Sequence, residues 1–437
     1  MEKIAVIGSG IAGLAATRAL TQSSGDRHVT LYEAGDHFGG HANTVEVTLE
    51  GITHGVDTGF LVYNERTYPQ LMKLFAELDV TVARAEMSFS VQVPGAGLEW
   101  SGRTLASVFA QRANLMRTGF WRMLADLVRF NRLTTRIAKA NDPEPLASTI
   151  GDFLIVHRFS DEFREWYLLP MISCIWSCST TQMLAFPMAT LIRFCSNHGL
   201  LQIFDRPQWW TVRGGSREYV NRVVAQLHDT RLNTPVRQIT RVAAGVLVKT
   251  DSGVALFDQV VLACHSDQAL QVLGADATPD ERRVLGAIQY QENRAVLHTD
   301  ESLLPVSRSA WAAWNCESAA GPGLDAGVSA APGRVCLHYL LNQLQPLPWT
   351  QPVIVTLNPI RQPRPSQVIQ SFDYAHPVFD QGAIAAQRQL PLIQGQRRTW
   401  FSGAWTGYGF HEDGLASGLA VAHAILRAQP VEWRGAA

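Results

Sequence analysis

Lysine is almost missing from this chain. Lys3, Lys73, Lys139 and Lys249 are the only ones among 37 basic residues, the rest being arginine, so chemistry that depends on a lysine amine has few candidates. Long apolar runs are missing too. The best stretch, Met183 to Phe204, is broken by Arg193, Asn197 and His198, short of the roughly 18 apolar residues that a membrane-spanning helix needs. The six cysteines (Cys174, Cys178, Cys195, Cys264, Cys316, Cys336) form no CxxC pair and no zinc spacing with histidine. They read as reduced core residues of a cytosolic protein. Net charge is −1, so no overall field recruits nucleic acid or an acidic partner. The first apolar strand begins within a few residues of the start, which leaves no room for a cleaved leader, and the cytoplasm is the expected compartment. There is no internal repeat and no low-complexity segment.

The composition, 46% hydrophobic and 17% charged, is that of a folded globular protein, and 437 residues imply two or three domains. Ile4-Ala5-Val6-Ile7 reads as a strand entering the turn Gly8-Ser9-Gly10-Ile11-Ala12-Gly13. A helix leaves that turn, and a second strand, Val29 to Tyr32, ends on Glu33. This is the βαβ unit that holds the ADP half of a dinucleotide. Gly8 allows the tight turn, Gly10 lets backbone N–H groups approach the pyrophosphate, and Gly13 lets helix and strand pack closely. The helix N-terminus brings partial positive charge to the phosphates. Glu33 would bond the ribose hydroxyls and disfavour an added phosphate. The plain alternative is a glycine-rich turn in an ordinary α/β domain.

The run Glu33-Ala34-Gly35-Asp36-His37-Phe38-Gly39-Gly40 resembles the amine oxidase and phytoene desaturase superfamily of flavoproteins, in which an acid is followed by a GG pair that packs on the pyrophosphate. His41 stands where arginine is usual, which weakens any expectation of a charged clamp there. Asp57-Thr58-Gly59-Phe60 resembles the next block, whose glycine brings backbone against the flavin ring. Trp210 to Ser216, Pro235-Val236 and Val260-Val261-Leu262-Ala263-Cys264 resemble the middle blocks, with Val236 at the adenine. Phe401-Ser402-Gly403 and Glu412-Asp413-Gly414-Leu415-Ala416-Ser417-Gly418 resemble the block that faces the flavin. A helix N-terminus there would stabilise the anionic reduced ring.

The resemblance implies non-covalent FAD and an α/β fold: a Rossmann-type FAD-binding domain assembled from both chain ends, with an inserted mixed helical and β-sheet substrate domain. The expected boundaries are 1–66, 205–270 and 396–430 for the FAD domain, 67–204 for a helical cap, and 271–395 for the rest of the substrate domain. Gly407 to Gly414, Phe186-Pro187, Asn197 to Leu200 and Val355 to Pro359 resemble one bacterial branch associated with cyclopropane-fatty-acid synthases. That likeness implies an FAD-dependent dehydrogenase or desaturase acting on a lipid acyl chain, with a lipid methyltransferase as a partner. A flavin amine oxidase, a flavin-binding partner without turnover, and a redox-neutral isomerase stay open.

Amine oxidases of the superfamily place a lysine, through water, near the reacting flavin nitrogen. Here the corresponding strand reads Arg294-Ala295-Val296-Leu297-His298. The candidate acid/base groups are His411, Tyr408 and Glu412 on the flavin turn, with His198 and His298 behind them. Each has a structural alternative: a histidine bonding backbone, a tyrosine lining the ring, a glutamate favouring a helix start. From Thr104 to Asn141 runs a segment read as helical, in which Arg112, Arg117, Arg122, Arg129, Arg132, Arg136 and Lys139 alternate with aromatics. It is either a solvated face or a surface for peripheral contact with the inner face of an anionic membrane.

Overall fold

The computed structural model describes residues 1–140, 148–176, 178–197, 207–318 and 335–427. His198 and the Gly199-Leu200 pair lie outside them. The alternation of the first strand, Glu2–Ile7, sets the layers of the cofactor domain. Ile4 and Val6 enter one apolar core with the helices Ile11–Gln22 and His411–Arg427. Ala5 and Ile7 enter a second core with the meander strands Val236–Val242, Gly245–Thr250 and Gly253–Phe257. A strand buried on both faces in this way suits a parallel sheet. Five strands form that sheet, in the order Asp229–Arg231, Arg27–Tyr32, Glu2–Ile7, Gln259–Leu262 and Thr399–Phe401, all parallel. Its neighbours come from the start, middle and end of the chain, so the sheet closes only when the whole chain has folded.

The substrate domain is built on a seven-stranded mixed sheet. Its order is Val368–Val378, Gln289–His298, Ile354–Leu357, Val335–Leu340, Trp314–Ser318, Phe89–Val93 and Leu98–Ser101. The last two strands fall in the stretch read from sequence as a helical cap. Their alternation spans few residues, and two buried polar positions of the first are satisfied by distant partners: Ser90 Oγ donates to Asn315 Oδ1 at 2.7 Å and Gln92 Nε2 to Leu303 O at 2.8 Å. Val82–Ala85, from the same stretch, pairs with Trp209–Val212, which also pairs with Tyr63–Asn64.

The segment expected to be helical from Thr104 is interrupted. A short helix, Leu105–Val108, is closed by a reciprocal Thr104–Ser107 capping box, a 3₁₀ turn follows, and the long helix begins only at Thr118 and runs to Ala140. The C-terminal helix starts at His411, so the flavin-facing block opens it.

Candidate active site

The glycine turn has the geometry its spacing implies. Gly8 adopts φ +101°, and a side chain there would lie 2.8 Å from Ala263 O. A Cβ at Gly13 would sit 1.9 Å from Gly8 O, so no other residue fits. Ala263 N donates to Ile7 O at 2.8 Å and locks the neighbouring strand beside the turn. A Cβ at Gly10, by contrast, would meet no protein atom within 4 Å. That opening lies at the start of the Ile11–Gln22 helix, where backbone N–H groups would face an anion.

Glu33 is held at the end of its strand. One carboxylate oxygen accepts from Ser9 N at 2.9 Å and Ser9 Oγ at 2.5 Å, the other from Gly35 N at 2.8 Å. Thr234 N donates to Glu33 O and Asn233 N to Gly35 O, which brings Val236 to the side of the turn where Glu33 and Ala34 lie. The GG loop docks directly on the glycine turn: Gly39 N donates to Ser9 O at 3.1 Å, and a Cβ at Gly40 would approach Gly10 Cα to 3.2 Å.

At the other end, Gly403 N donates to Ser417 Oγ at 2.9 Å, and a Cβ at Gly414 would strike Ile11 at 2.7 Å. Leu415 is buried beside it, and a Cβ at Gly418 would lie 2.1 Å from Ala12 O. The first and last helices therefore touch through backbone, and both start at the same cleft. Two buried atoms in this region, His41 Nε2 and Ser402 Oγ, have no partner among the described residues. With the opening at Gly10, these features fit FAD. Gly8, Ser9, Gly10, Ala12, Gly13, Glu33, Gly40 and His41 would hold the pyrophosphate and ribose, Ala34 and Val236 the adenine end, and Gly59, Phe60, Gly403, Gly414 and Leu415 the flavin end.

His41 is no cation. Burial, then the neighbouring His376 and His265, hold its imidazole far below the usual range. Its ring stacks on Tyr374 at 4.9 Å and lies 5.2 Å from His376. His376 is itself pushed down to about 4 by burial, and its Nδ1 lies 2.9 Å from Asn293 Nδ2. A neutral imidazole offers an N–H to a phosphate where arginine would offer charge.

The three proposed acid/base groups part company. His411 opens the C-terminal helix with its ring stacked on Phe60 at 3.9 Å and 11° and its Nε2 2.7 Å from Tyr219 OH. Burial pushes its pKa down to about 3, which makes it a poor base at neutral pH and a good uncharged wall. Glu412 turns away from the flavin end. Its two oxygens accept from Gln70 N at 2.8 Å and Leu71 N at 3.0 Å, capping the Pro69–Glu77 helix. Tyr408 stands half-buried in the turn before the helix. His298 is a core residue, its Nε2 2.7 Å from Thr356 Oγ1 on the far face of the sheet.

Two buried acids that the motifs do not single out belong to the site's frame. Asp413 accepts from Phe410 N at 2.9 Å and shapes the flavin turn; burial pushes it up to about 6. Asp57 accepts from Thr44 Oγ1 at 2.6 Å, Ser216 N at 2.9 Å, Ser216 Oγ at 2.8 Å and Gln345 Nε2 at 2.7 Å. It joins the cofactor domain to the substrate domain just ahead of Gly59. The only sequence signal for either was position next to a glycine block.

Relatives agree with this architecture. The Mycobacterium tuberculosis protein AofH, which carries the name of a flavin-containing monoamine oxidase, is 26% identical over 275 residues, 60% of this chain and 56% of its own length. The chain thus spans a little over half the length of the curated relatives it matches. Among solved structures, the CLA-producing fatty acid isomerase from P. acnes shares the fold at 17% identity and a TM-score of 0.68, covering 98% of this chain and 99% of that one. Cyclohexylamine oxidase from Brevibacterium oxydans does so at 16% and 0.64, covering 97% and 98%. The profile of the flavin-containing amine oxidoreductases matches residues 11–297, and the chain belongs to that family.

Proposed function

We propose that this protein removes hydride from a hydrophobic chain, an acyl chain of a lipid, rather than from an amine. The observation that carries this reading is the face that the substrate sheet turns to the cofactor domain. On the Gln289–His298 strand that face carries Asn293, Ala295 and Leu297, with Ala295 and Leu297 packed among Val47, Val56 and Leu61. No lysine stands there, and Lys3, Lys73, Lys139 and Lys249 are all exposed at the surface. The histidines His41, His376 and His411 are held uncharged, and both Asp57 and Glu412 are occupied by hydrogen bonds within the fold. Such surroundings have little to offer a cationic amine and much to offer hydrocarbon.

Beyond the flavin turn the surroundings are aromatic. Phe410 stacks on Phe194 at 5.0 Å, Phe194 lies 4.7 Å from Trp176, and Phe379 packs against Gly409. These rings would exclude water and align a chain beside the Phe60–His411 stack. Bound FAD supplies the two-electron acceptor for a hydride. The proton on the adjacent carbon must then leave, and Tyr408, whose side chain has no partner among the described residues, is the group we assign to relay it: its phenol oxygen takes that proton as its own O–H proton passes to solvent.

The test is anaerobic mixing of the holoprotein with host lipid extract and, separately, with a panel of amines, following the visible flavin band. Bleaching by lipid alone supports the proposal. Bleaching by amines alone overturns it. Lipid turnover with double-bond migration and no net bleaching would favour isomerisation, and stable co-purification with a lipid methyltransferase without any turnover would favour a partner role.

A further inference from the structure

Among the described residues, seven of the sixteen exposed large hydrophobic ones fall between Leu105 and Val156. The most prominent are Leu105, 85% exposed, Met116, 87%, and the pair Ile155 and Val156, 75% and 73%. They belong to one surface. Trp121 Nε1 donates to Leu115 O at 3.0 Å and its ring lies 5.4 Å from Phe109, which ties the Leu105–Met116 hairpin to the start of the long helix. Farther along, Arg129 donates to His157 O at 3.1 Å and Arg158 O at 3.0 Å, which seats the end of the Ile150–Val156 helix beside it.

The long helix supplies the charge. While Phe120, Met123, Phe130 and Ile137 are buried, Trp121, Ala125, Val128, Arg132, Arg136 and Lys139 follow one another at helical spacing along its exposed side. That stripe contains no acid. Among the described residues the acids nearby are engaged: Asp126 by Arg129, Glu162 by Arg122, Asp161 by Arg164, and Asp152 by Thr149. Arg112, Arg132, Arg136 and Lys139 form no ion pair among the described residues. A row of apolar tips bordered by cations matches the chemistry of an anionic bilayer surface, with side chains entering the acyl boundary and guanidinium groups at the phosphates.

We infer that this face docks the protein on an anionic lipid membrane. The inference deepens the acyl-chain reading above, and rests on it for its purpose. Beneath the docking face, Phe130 and Ile137 belong to the same apolar core as Phe194 and Phe379, and Phe410 of the flavin turn packs against that core. A lipid chain leaving the membrane would thus enter hydrocarbon that runs to the cofactor end.

The experiment is flotation of the holoprotein with vesicles of phosphatidylcholine alone or mixed with phosphatidylglycerol, at about 0.1 M and about 0.5 M salt. The parent floats with the anionic vesicles at low salt and less at high salt. The pair Met116→Glu/Ile155→Glu and the pair Arg132→Glu/Arg136→Glu each lower the floated fraction about tenfold. All these positions are solvent-exposed, so flavin content and thermal midpoint stay at parental values. A parent that stays with the supernatant, binds neutral vesicles equally, or binds undiminished in both variants overturns the inference. The readout needs no turnover, so vesicle binding without flavin bleaching fails the substrate reading alone, and bleaching by dispersed lipid without vesicle binding fails the docking alone.

Discussion

Asp57→Asn offers the sharpest check on how the two domains are joined. Asp57 is 1% exposed and accepts hydrogen bonds from Thr44, Ser216 and Gln345. Burial outweighs those donors and moves its pKa from an ordinary 3.8 to about 6. A carboxyl whose pKa is higher in the fold than in the unfolded chain contributes stability that is complete below the unfolded value. That stability is lost as pH rises through the folded one. At roughly 1.4 kcal/mol per tenfold change in proton affinity, ionising Asp57 costs the fold about 3 kcal/mol. Asparagine does not titrate. The stability of the parent minus that of Asp57→Asn should therefore fall by about 2.5 kcal/mol between about pH 4 and about pH 7. Every other titrating group, including Asp413, cancels in the subtraction. Urea unfolding of both proteins, followed by tryptophan fluorescence at one fixed FAD concentration, measures it. A difference that stays flat across that range would refute the reasoning, because the donors would then have offset burial completely.

Other substitutions test the site piece by piece. Gly10→Ala should leave the thermal midpoint of the flavin-free protein unchanged while lowering FAD retained on purification at least tenfold, whereas Gly13→Ala, whose Cβ would strike Gly8 O at 1.9 Å, should unfold the apoprotein. Glu412→Gln should cost about 1 kcal/mol as a weakened helix cap and change flavin reduction by less than about threefold; a loss of two orders of magnitude would restore it as a catalytic group. Arg241→Ala strands the buried Glu281, so a loss of about 3–5 kcal/mol is expected in denaturant unfolding. Since His411 has a pKa of about 3, the pH profile of flavin reduction should show no ionisation between about pH 5 and 8 that vanishes in His411→Asn.

What could be read from the chain was what backbone geometry writes locally. Gly8, Gly13, Gly40, Gly414 and Gly418 occupy places where a Cβ would strain or strike backbone or a packed side chain, so their spacing carried the turn, the docking loop and the helix contact. Glu33 was legible because its strand ends a fixed distance after the turn. The strands Phe89–Val93 and Leu98–Ser101 were not, since short alternation competes poorly with the long helical pattern that follows. The strand that joins this pair to the sheet, Trp314–Ser318, also lies more than 200 residues away.

The chemistry of the candidate site divides the same way. Sequence alone determined that the chain binds a dinucleotide with both ends meeting at one cleft, because glycine spacing and strand ends are properties of neighbouring residues. It also determined the scarcity of lysine. Which acids are active and which are structural was decided only in three dimensions. Glu412 became the cap of a helix more than 340 residues earlier in the chain, Asp57 became a joint that ties its own hairpin to two distant segments, and four histidines near the cleft lost their charge to burial. Burial and hydrogen bonding depend on what the rest of the chain places around a group, and no local pattern records that.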